Sequence, residues 1–466
     1  MTKIDTGIIN TVRKELAIHY RIIPFEVSNG NLTIYVDDKI HSQERVIELE
    51  VLLDKNIVAH PIASSEIEKL LAVYYLDSST EKIKSAKVIQ GHSEDFLEEI
   101  IMNAINSNSS DIHLEVYEEK GRIRYRIDGM LIERYVLLKE DYPSLINKIK
   151  VRANLDIAEK RLPQDGRINF EGNDFNVDIR VSILPVFYGE KAVLRLLRTD
   201  NLEYDLDKLG MTATERDQFV DAISKPNGIV LISGPTGSGK TTTLYTSLKL
   251  LNKKTKNILT IENPIEYTIA GVNQVQINEE IGLSFSEALR SFLRQDPDII
   301  MVGEIRDSET AEMAIRASLT GHLVLSTIHT NSALGTISRL IDMGIPTFFL
   351  AETLNISIAQ RLIRKLCPHC KQIEDLSIKL KEKYKFELDT IQTHYKAVGC
   401  NYCLHTGYRG RLAIYDMLVN DSLLKAWIKG ENRVDDKERD GLKVRALSLF
   451  SNGVTSLEEV LPYLMK

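Results

Sequence analysis

No stretch of the chain reaches the roughly 18 consecutive apolar residues that a bilayer-crossing helix needs, so nothing in it reads as a membrane anchor. The opening residues, MTKIDTGIINTVRKELAIHY, hold no apolar block of the signal-peptide kind, and the chain is expected to stay in the cytosol. Basic charge is not in excess: 59 Lys and Arg against 66 Asp and Glu leave a formal net charge of −7. Without a positive field or a basic strip interleaved with aromatics, no direct nucleic-acid partner is expected. Internal repeats and low-complexity tracts are also missing. Cysteine is scarce, with four in 466 residues, and all of them fall in two C-x-x-C pairs, Cys367 with Cys370 and Cys400 with Cys403. What remains, 43% apolar and 27% charged, is the balance of a soluble globular protein. Its length allows about two to four domains.

Residues 1–80 read as a small α/β module. In FEVSNGNLTIYVDD, Phe25 and Val27 precede Asn29-Gly30, and Leu32, Ile34 and Val36 then alternate with polar residues, which predicts a hairpin with a tight turn. Ile67, Leu70, Leu71 and Tyr74 recur at helical spacing across Ser64 to Tyr75. A polar stretch around 81–94 reads as a linker. A second domain follows over 95–200, where GRIRYRIDG sets Ile123, Tyr125 and Ile127 on one face of a strand and Arg122, Arg124 and Arg126 on the other. From 201 to 466, buried apolar strands ending in loops alternate with helices, the pattern of a parallel α/β sheet.

In that last region, Gly234-Pro-Thr236-Gly237-Ser238-Gly239-Lys240-Thr241-Thr242 satisfies G-x(4)-G-K-[ST], with the apolar strand GIVLIS before it and a helical stretch after it. Such a loop curls its backbone N–H groups around phosphate oxygens at a helix N-terminus. Lys240 would reach the β and γ phosphates of ATP, and the Thr241 hydroxyl would ligate Mg²⁺. Hydrolysis also needs a group that orients water. DPDIIMVGEIRD supplies Glu304 at a strand end, where a parallel sheet gathers its ligand. The preceding position, which often carries a metal-directed Asp, is Gly303. Glu262 and Glu266 of ILTIENPIEY are candidates to assist; solvated surface carboxylates are the bland alternative. His329, ending HLVLSTIHTN, is either a sensor of the γ phosphate or a satisfied core histidine.

The two cysteine pairs are separated by 29 residues. Each forms a knuckle presenting two thiolates, and two knuckles complete a tetrahedral Zn²⁺ site. Four thiolates leave no open coordination position, so the role is structural and His369 is a bystander.

Taken in order, GPTGSGKTT, ENPIEY, MVGEIRD and TGHLVLSTIHTN resemble the Walker A, Asp-box, Walker B and His-box motifs of the type II secretion and type IV pilus assembly ATPases. SSDIHLE (109–115), RLPQDGRI (161–168) and RVSILPVFYGEKAVLRLL (180–197) are similar to that family's second N-terminal domain, and GYRGRLAIYDML to its C-terminal segment. The resemblance spans roughly residues 95 to 420. It implies a multidomain α/β protein with a RecA-like P-loop ATPase core, preceded by a PAS-like α/β domain and a small N-terminal module, with an inserted four-cysteine zinc subdomain over 366–404. It also implies a homohexameric motor that binds ATP between its major domains. Arg180 and Arg195 match arginines that project toward the triphosphate, with Arg167 a looser member of the set; without the family they would read as exposed strand arginines. The family's usual E-D-P has become Glu262-Asn263-Pro264, which keeps shape but loses a charge.

The partners implied are an inner-membrane platform protein and a cytoplasmic-face docking protein, with peripheral attachment at the inner membrane. A tetracysteine element resembles the secretion and assembly members and not the retraction motors, so the expected motion is extension. The short N-terminal module favours type II secretion, with pilus assembly as the alternative and a nucleic-acid translocase as a more distant one. Residues 1–80 show no arginine and glycine pattern for a cyclic dinucleotide.

Overall fold

The structure, a computed structural model, describes residues 96–171, 176–198, 205–375, 393–431 and 441–464 without a break, together with Ile391, residues 87–89 and segments of residues 4–74. The turn at 29–30 and most of 81–94 lie outside the described residues. The chain forms two compact units, Met1–Ala86 and Lys87–Lys466.

In the first unit, β1 (Ile22–Ser28) and β2 (Asn31–Asp37) pair antiparallel with Ser28 opposite Asn31, the hairpin that the alternation predicts. An irregularity between Pro24 and Glu26 breaks that alternation in β1. Ile22 and Ile23, before it, are both buried, and Val27, after it, is exposed. Strand β3 (Asn56–Ile62), which no sequence pattern marked, joins β2 in parallel. Helix Ser64–Leu71 turns Ile67, Leu70 and Leu71 into the same core.

The second unit holds two seven-stranded sheets. The first contains β4 (Lys87–Ile89), β5 (Ser109–Val116), β6 (Lys120–Ile127), β7 (Met130–Leu138), β8 (Gln164–Glu171), β9 (Asn176–Val186) and β10 (Gly189–Arg198), in the order β4-β7-β6-β5-β10-β9-β8. Its pairs are antiparallel except β4 with β7, so residues 87–89, inside the stretch read as linker, belong to a sheet. One face packs on helices Phe96–Asn106 and Tyr142–Arg152 around Ile112, Ile123, Ile179 and Leu194. The other face carries the arginines of β6, as its period of two requires.

Strands β11 (Gly228–Ser233), β12 (Ile258–Glu262), β13 (Asn273–Gln276), β14 (Ile299–Ile305), β15 (Leu323–Ile328) and β16 (Leu354–Leu366) form a parallel sheet ordered β13-β12-β14-β15-β11-β16. After a hairpin of β17 (Gln372–Asp375) and β18 (Thr393–Lys396), β19 (Tyr408–Val419) adds antiparallel to β16. Every residue of β11, β12 and β15 is buried, which is why these strands read as continuous apolar runs. No described helix is long and apolar enough to cross a membrane.

Lys150 is wholly buried beneath the first sheet. Its Nζ lies 2.6 Å from Glu190 Oε1 and donates to the Glu159 carbonyl at 2.7 Å. Removing one member of such a pair strands the other charge, whereas replacing both with apolar groups removes the desolvation cost as well. Lys150→Met is expected to lower stability by about 3 kcal/mol, and Lys150→Met with Glu190→Leu to recover most of the loss, read from urea unfolding midpoints.

Candidate active site

The chain leaves β11 at Ser233, turns through residues 234–239 and enters helix Lys240–Leu251. Because β11 lies between β15 and β16, this loop stands at the middle of the sheet's carboxyl edge. Two glycines let it press against β16. A Cβ on Gly234 would meet the Gln360 carbonyl at 2.5 Å, and Gly239, at φ +89°, would meet Gln360 Nε2 at 2.8 Å. Lys240 folds back on its own loop, donating to the carbonyls of Gly234 at 2.7 Å and Pro235 at 3.1 Å. Burial lowers its pKa, against the opposing pull of Glu304.

Around this loop lies a cavity of about 500 Å³, lined by Thr236, Gly237, Ser238, Gly239, Lys240, Thr241 and Thr242 together with Glu262, Asn263, Glu266, Glu304 and His329. Gly234 packs beneath it. Glu304 extends from β14 with one oxygen ion-paired to Arg306 and the other 3.3 Å from His329 Nε2. His329 is half-exposed, not a core residue. A side chain at position 303 would be tightly placed: a Cβ would stand 3.2 Å from the Ile261 carbonyl and 3.4 Å from the Glu262 Cα of the adjacent strand.

The two glutamates of ENPIEY differ sharply. Glu262 is buried and its carboxylate is fully engaged, accepting from Thr260 Oγ1 at 2.6 Å, from Gln274 Nε2 at 3.0 Å and from the Tyr245 hydroxyl. Glu266 is partly exposed at the cavity wall, 3.2 Å from Arg180 Nη1. Arg180 also donates to the Ile265 carbonyl at 2.7 Å, so the first sheet meets the back of the cavity wall at Glu266, although Arg180 itself does not line the cavity. Arg195 does not line the cavity. It sits in a separate groove with Arg167 and Arg180, and its Nε lies 3.1 Å from Asp111 Oδ1. Two charged cavity residues escaped the sequence reading, along with uncharged ones such as Tyr245 and Phe285. Arg306 was visible inside MVGEIRD, beside Glu304. Arg411 comes from GYRGRLAIYDML, and only the pairing of β19 with β16 brings it near.

The model of the family described as "Type II/IV secretion system protein" matches residues 87–462. The chain belongs to this family. Among its relatives, the "Type II secretion system ATPase E" of Vibrio cholerae is 39% identical, over 95% of this chain and 96% of its own length. The "Type IV pilus assembly ATPase PilB" of Myxococcus xanthus is 41% identical, over 98% of this chain and 86% of its own. A solved structure of the pilus retraction motor PilT with bound ADP is 27% identical, with a TM-score of 0.52, covering 79% of this chain and 96% of that one.

In this member of the secretion family the four cysteines converge, with all sulfurs within 4.8 Å of one another. Cys367 to Cys400 is 3.9 Å, and Cys370 to Cys403 and Cys400 to Cys403 are both 3.8 Å. A tetrahedral zinc with Zn–S bonds of about 2.3 Å spaces its sulfurs by about 3.8 Å, so the set fits that ion. Backbone N–H groups of Cys400 and Gly407 point at Cys403 Sγ, each at 3.2 Å. Burial would raise this thiol, but those donors bring its pKa down to about 7.

Tyr245 ties the helix after the phosphate loop to Glu262. Tyr245→Phe is expected to cost about 1–3 kcal/mol, because it leaves a buried carboxylate oxygen without its donor, and thermal unfolding checks this.

Proposed function

We propose that this chain is the ATP-hydrolysing motor of a type II secretion machine, driving assembly of a pilin-like fibre. The observation that carries the reading is the single cavity where the phosphate loop 236–242 meets Glu304, Glu266 and His329 at the carboxyl edge of a parallel sheet. ATP would lie with its phosphates along the loop's N–H groups. Lys240 then exchanges the carbonyls of Gly234 and Pro235 for β and γ phosphate oxygens, a gain for a half-buried cation. The Thr241 hydroxyl, on the cavity lining, would hold Mg²⁺, which when bound would supply neutralising charge to the β and γ phosphates.

Glu304 is the group that orients water and accepts its proton as the water oxygen bonds to the γ phosphorus and the bond to the β-phosphate oxygen breaks. Arg306 and His329 hold its two oxygens and fix its direction. His329 thereby stands where the γ phosphate's presence or loss is felt. Glu266 acts by drawing Arg180 to the cavity wall, and Arg180 and Arg195 stabilise charge on the transferring group. Glu262, with its oxygens occupied, shapes the wall and does not reach the water. Cys367, Cys370, Cys400 and Cys403 hold a structural Zn²⁺ that closes the subdomain over 366–404.

The working form in this reading is a homohexamer, peripheral at the cytoplasmic side of the inner membrane. It turns a platform protein and is held by a docking protein through residues 1–80. A pilus-assembly role is the second reading, favoured by the PilB relative's alignment over nearly the whole chain.

Glu304→Gln is expected to keep ATP binding and to lower turnover at least about 100-fold; near-normal phosphate release would refute the assignment. Made in the native cell, the same substitution separates the two roles. Lost secretion with intact filaments marks the secretion motor, and lost filaments with normal secretion marks the assembly motor. For the metal, elemental analysis should find one zinc per wild-type chain and a large loss in Cys400→Ser; a zinc-free wild type removes the assignment.

A further inference from the structure

The polar face of the first sheet carries an alignment that the mechanism above leaves unused. Arg167 on β8 stands opposite Arg180 on β9, Arg180 opposite Arg195 on β10, Arg195 opposite Asp111 on β5, and Asp111 opposite Arg126 on β6. Five strands thus present one row of four guanidinium groups and a single carboxylate. Adjacent strands are about 4.8 Å apart, and like charges directly opposite one another destabilise a sheet.

Asp111, buried to 7% exposure, is the carboxylate that relieves the row. Its Oδ1 lies 3.1 Å from Arg195 Nε and its Oδ2 3.6 Å from Arg126 Nε, while the Ser110 hydroxyl donates to Oδ2 at 2.8 Å. Arg180, the next residue along, reaches the opposite way, to Glu266 and Ile265 at the cavity wall. Arg195 is one strand from that wall, 59% exposed, and committed to Asp111. Asp111 holds the guanidinium by its Nε on the side away from β9, and Arg195 lines the groove with Arg167 and Arg180 and not the cavity, so an anion in the cavity can recruit it only by drawing it off the carboxylate.

We propose that Asp111 is a positioning residue that parks Arg195 on the sheet until the terminal phosphate of ATP takes its place, so that this carboxylate sets the preference for triphosphate over diphosphate. The inference rests on the reading of the cavity as an ATP site. It gives the Asp of SSDIHLE a role distinct from phosphate contact: the acid competes with the nucleotide for the arginine. Arg126 moderates the competition by sharing Asp111.

The test is binding by the purified full-length chain, with a non-hydrolysable ATP analogue and ADP titrated separately. Asp111→Asn is expected to tighten the ATP analogue about threefold to tenfold with ADP unchanged, the range for a partly exposed ion pair no longer broken on binding. Asp111→Glu, which keeps the charge, should restore the wild-type ratio. Arg126→Ala leaves Asp111 to Arg195 alone and should weaken the analogue about threefold. Both shifts should vanish in an Arg195→Ala background. Unchanged or weaker analogue binding by Asp111→Asn, or shifts that survive without Arg195, would overturn the proposal. Should Asp111→Asn fail to fold, Arg126→Ala with and without Arg195 gives the same decision. A wild type that binds neither nucleotide overturns the ATP reading and this inference together.

Discussion

The hydrogen-bond register of the parallel sheet is the constraint on which the rest depends. Ser233, Ile328 and Ala359 stand side by side across β11, β15 and β16, so the phosphate loop and the segment bearing His329 leave the sheet at one level, beside Gln360 where β16 runs on. A slip of one residue would turn every side chain of a strand to the opposite face. Polar residues inside the sheet guard against it: Ser326 Oγ donates to the Val302 carbonyl at 2.9 Å and Thr327 Oγ1 to the Gly303 carbonyl at 2.6 Å. The irregularity in β14 between Val302 and Ile305 then lifts Glu304 out of the ladder toward the cavity. A buried strand interior and a projecting carboxylate are therefore compatible within seven residues.

The first sheet depends on that edge in a different way. It meets the cavity wall where Arg180 pairs with Glu266, and its β6–β7 turn, with Asp128 at φ 49°, accepts from the Gly410 N–H at 2.7 Å and lies 3.6 Å from Arg411 Nε. Each of these contacts joins a charged side chain of one sheet to backbone or charge of the other. Such contacts exchange partners at modest cost when a phosphate arrives, because surface ion pairs contribute only about 0–1 kcal/mol each. An interface of this kind suits a machine that closes and opens with its nucleotide.

Much of this was legible beforehand. The phosphate loop, the buried strands before Glu262, Glu304 and His329, the alternation of β6 and the paired cysteines all depend on neighbours within a few positions, and local sterics decide them. Other features were opaque. Strand β3 and the short β4 carry weak local patterns and exist because a neighbouring edge accepts them. Glu262 and Glu266 sit in one hexapeptide and look alike as text, yet one is walled in by Tyr245, Thr260 and Gln274 and the other faces Arg180.

Local chemistry in the chain was enough to specify a loop of the phosphate-binding pattern, a strand-end carboxylate and two cysteine pairs, since each needs particular residues at fixed short spacing. Which groups face one another was settled only by chain closure over long separations. Arg195 meets Asp111 across 84 residues and Arg180 meets Ile265 across 85. Whether an arginine serves a phosphate, a carboxylate or water is a matter of what lies within hydrogen-bond reach, and that distance is set by strand order and register, which no local spacing encodes.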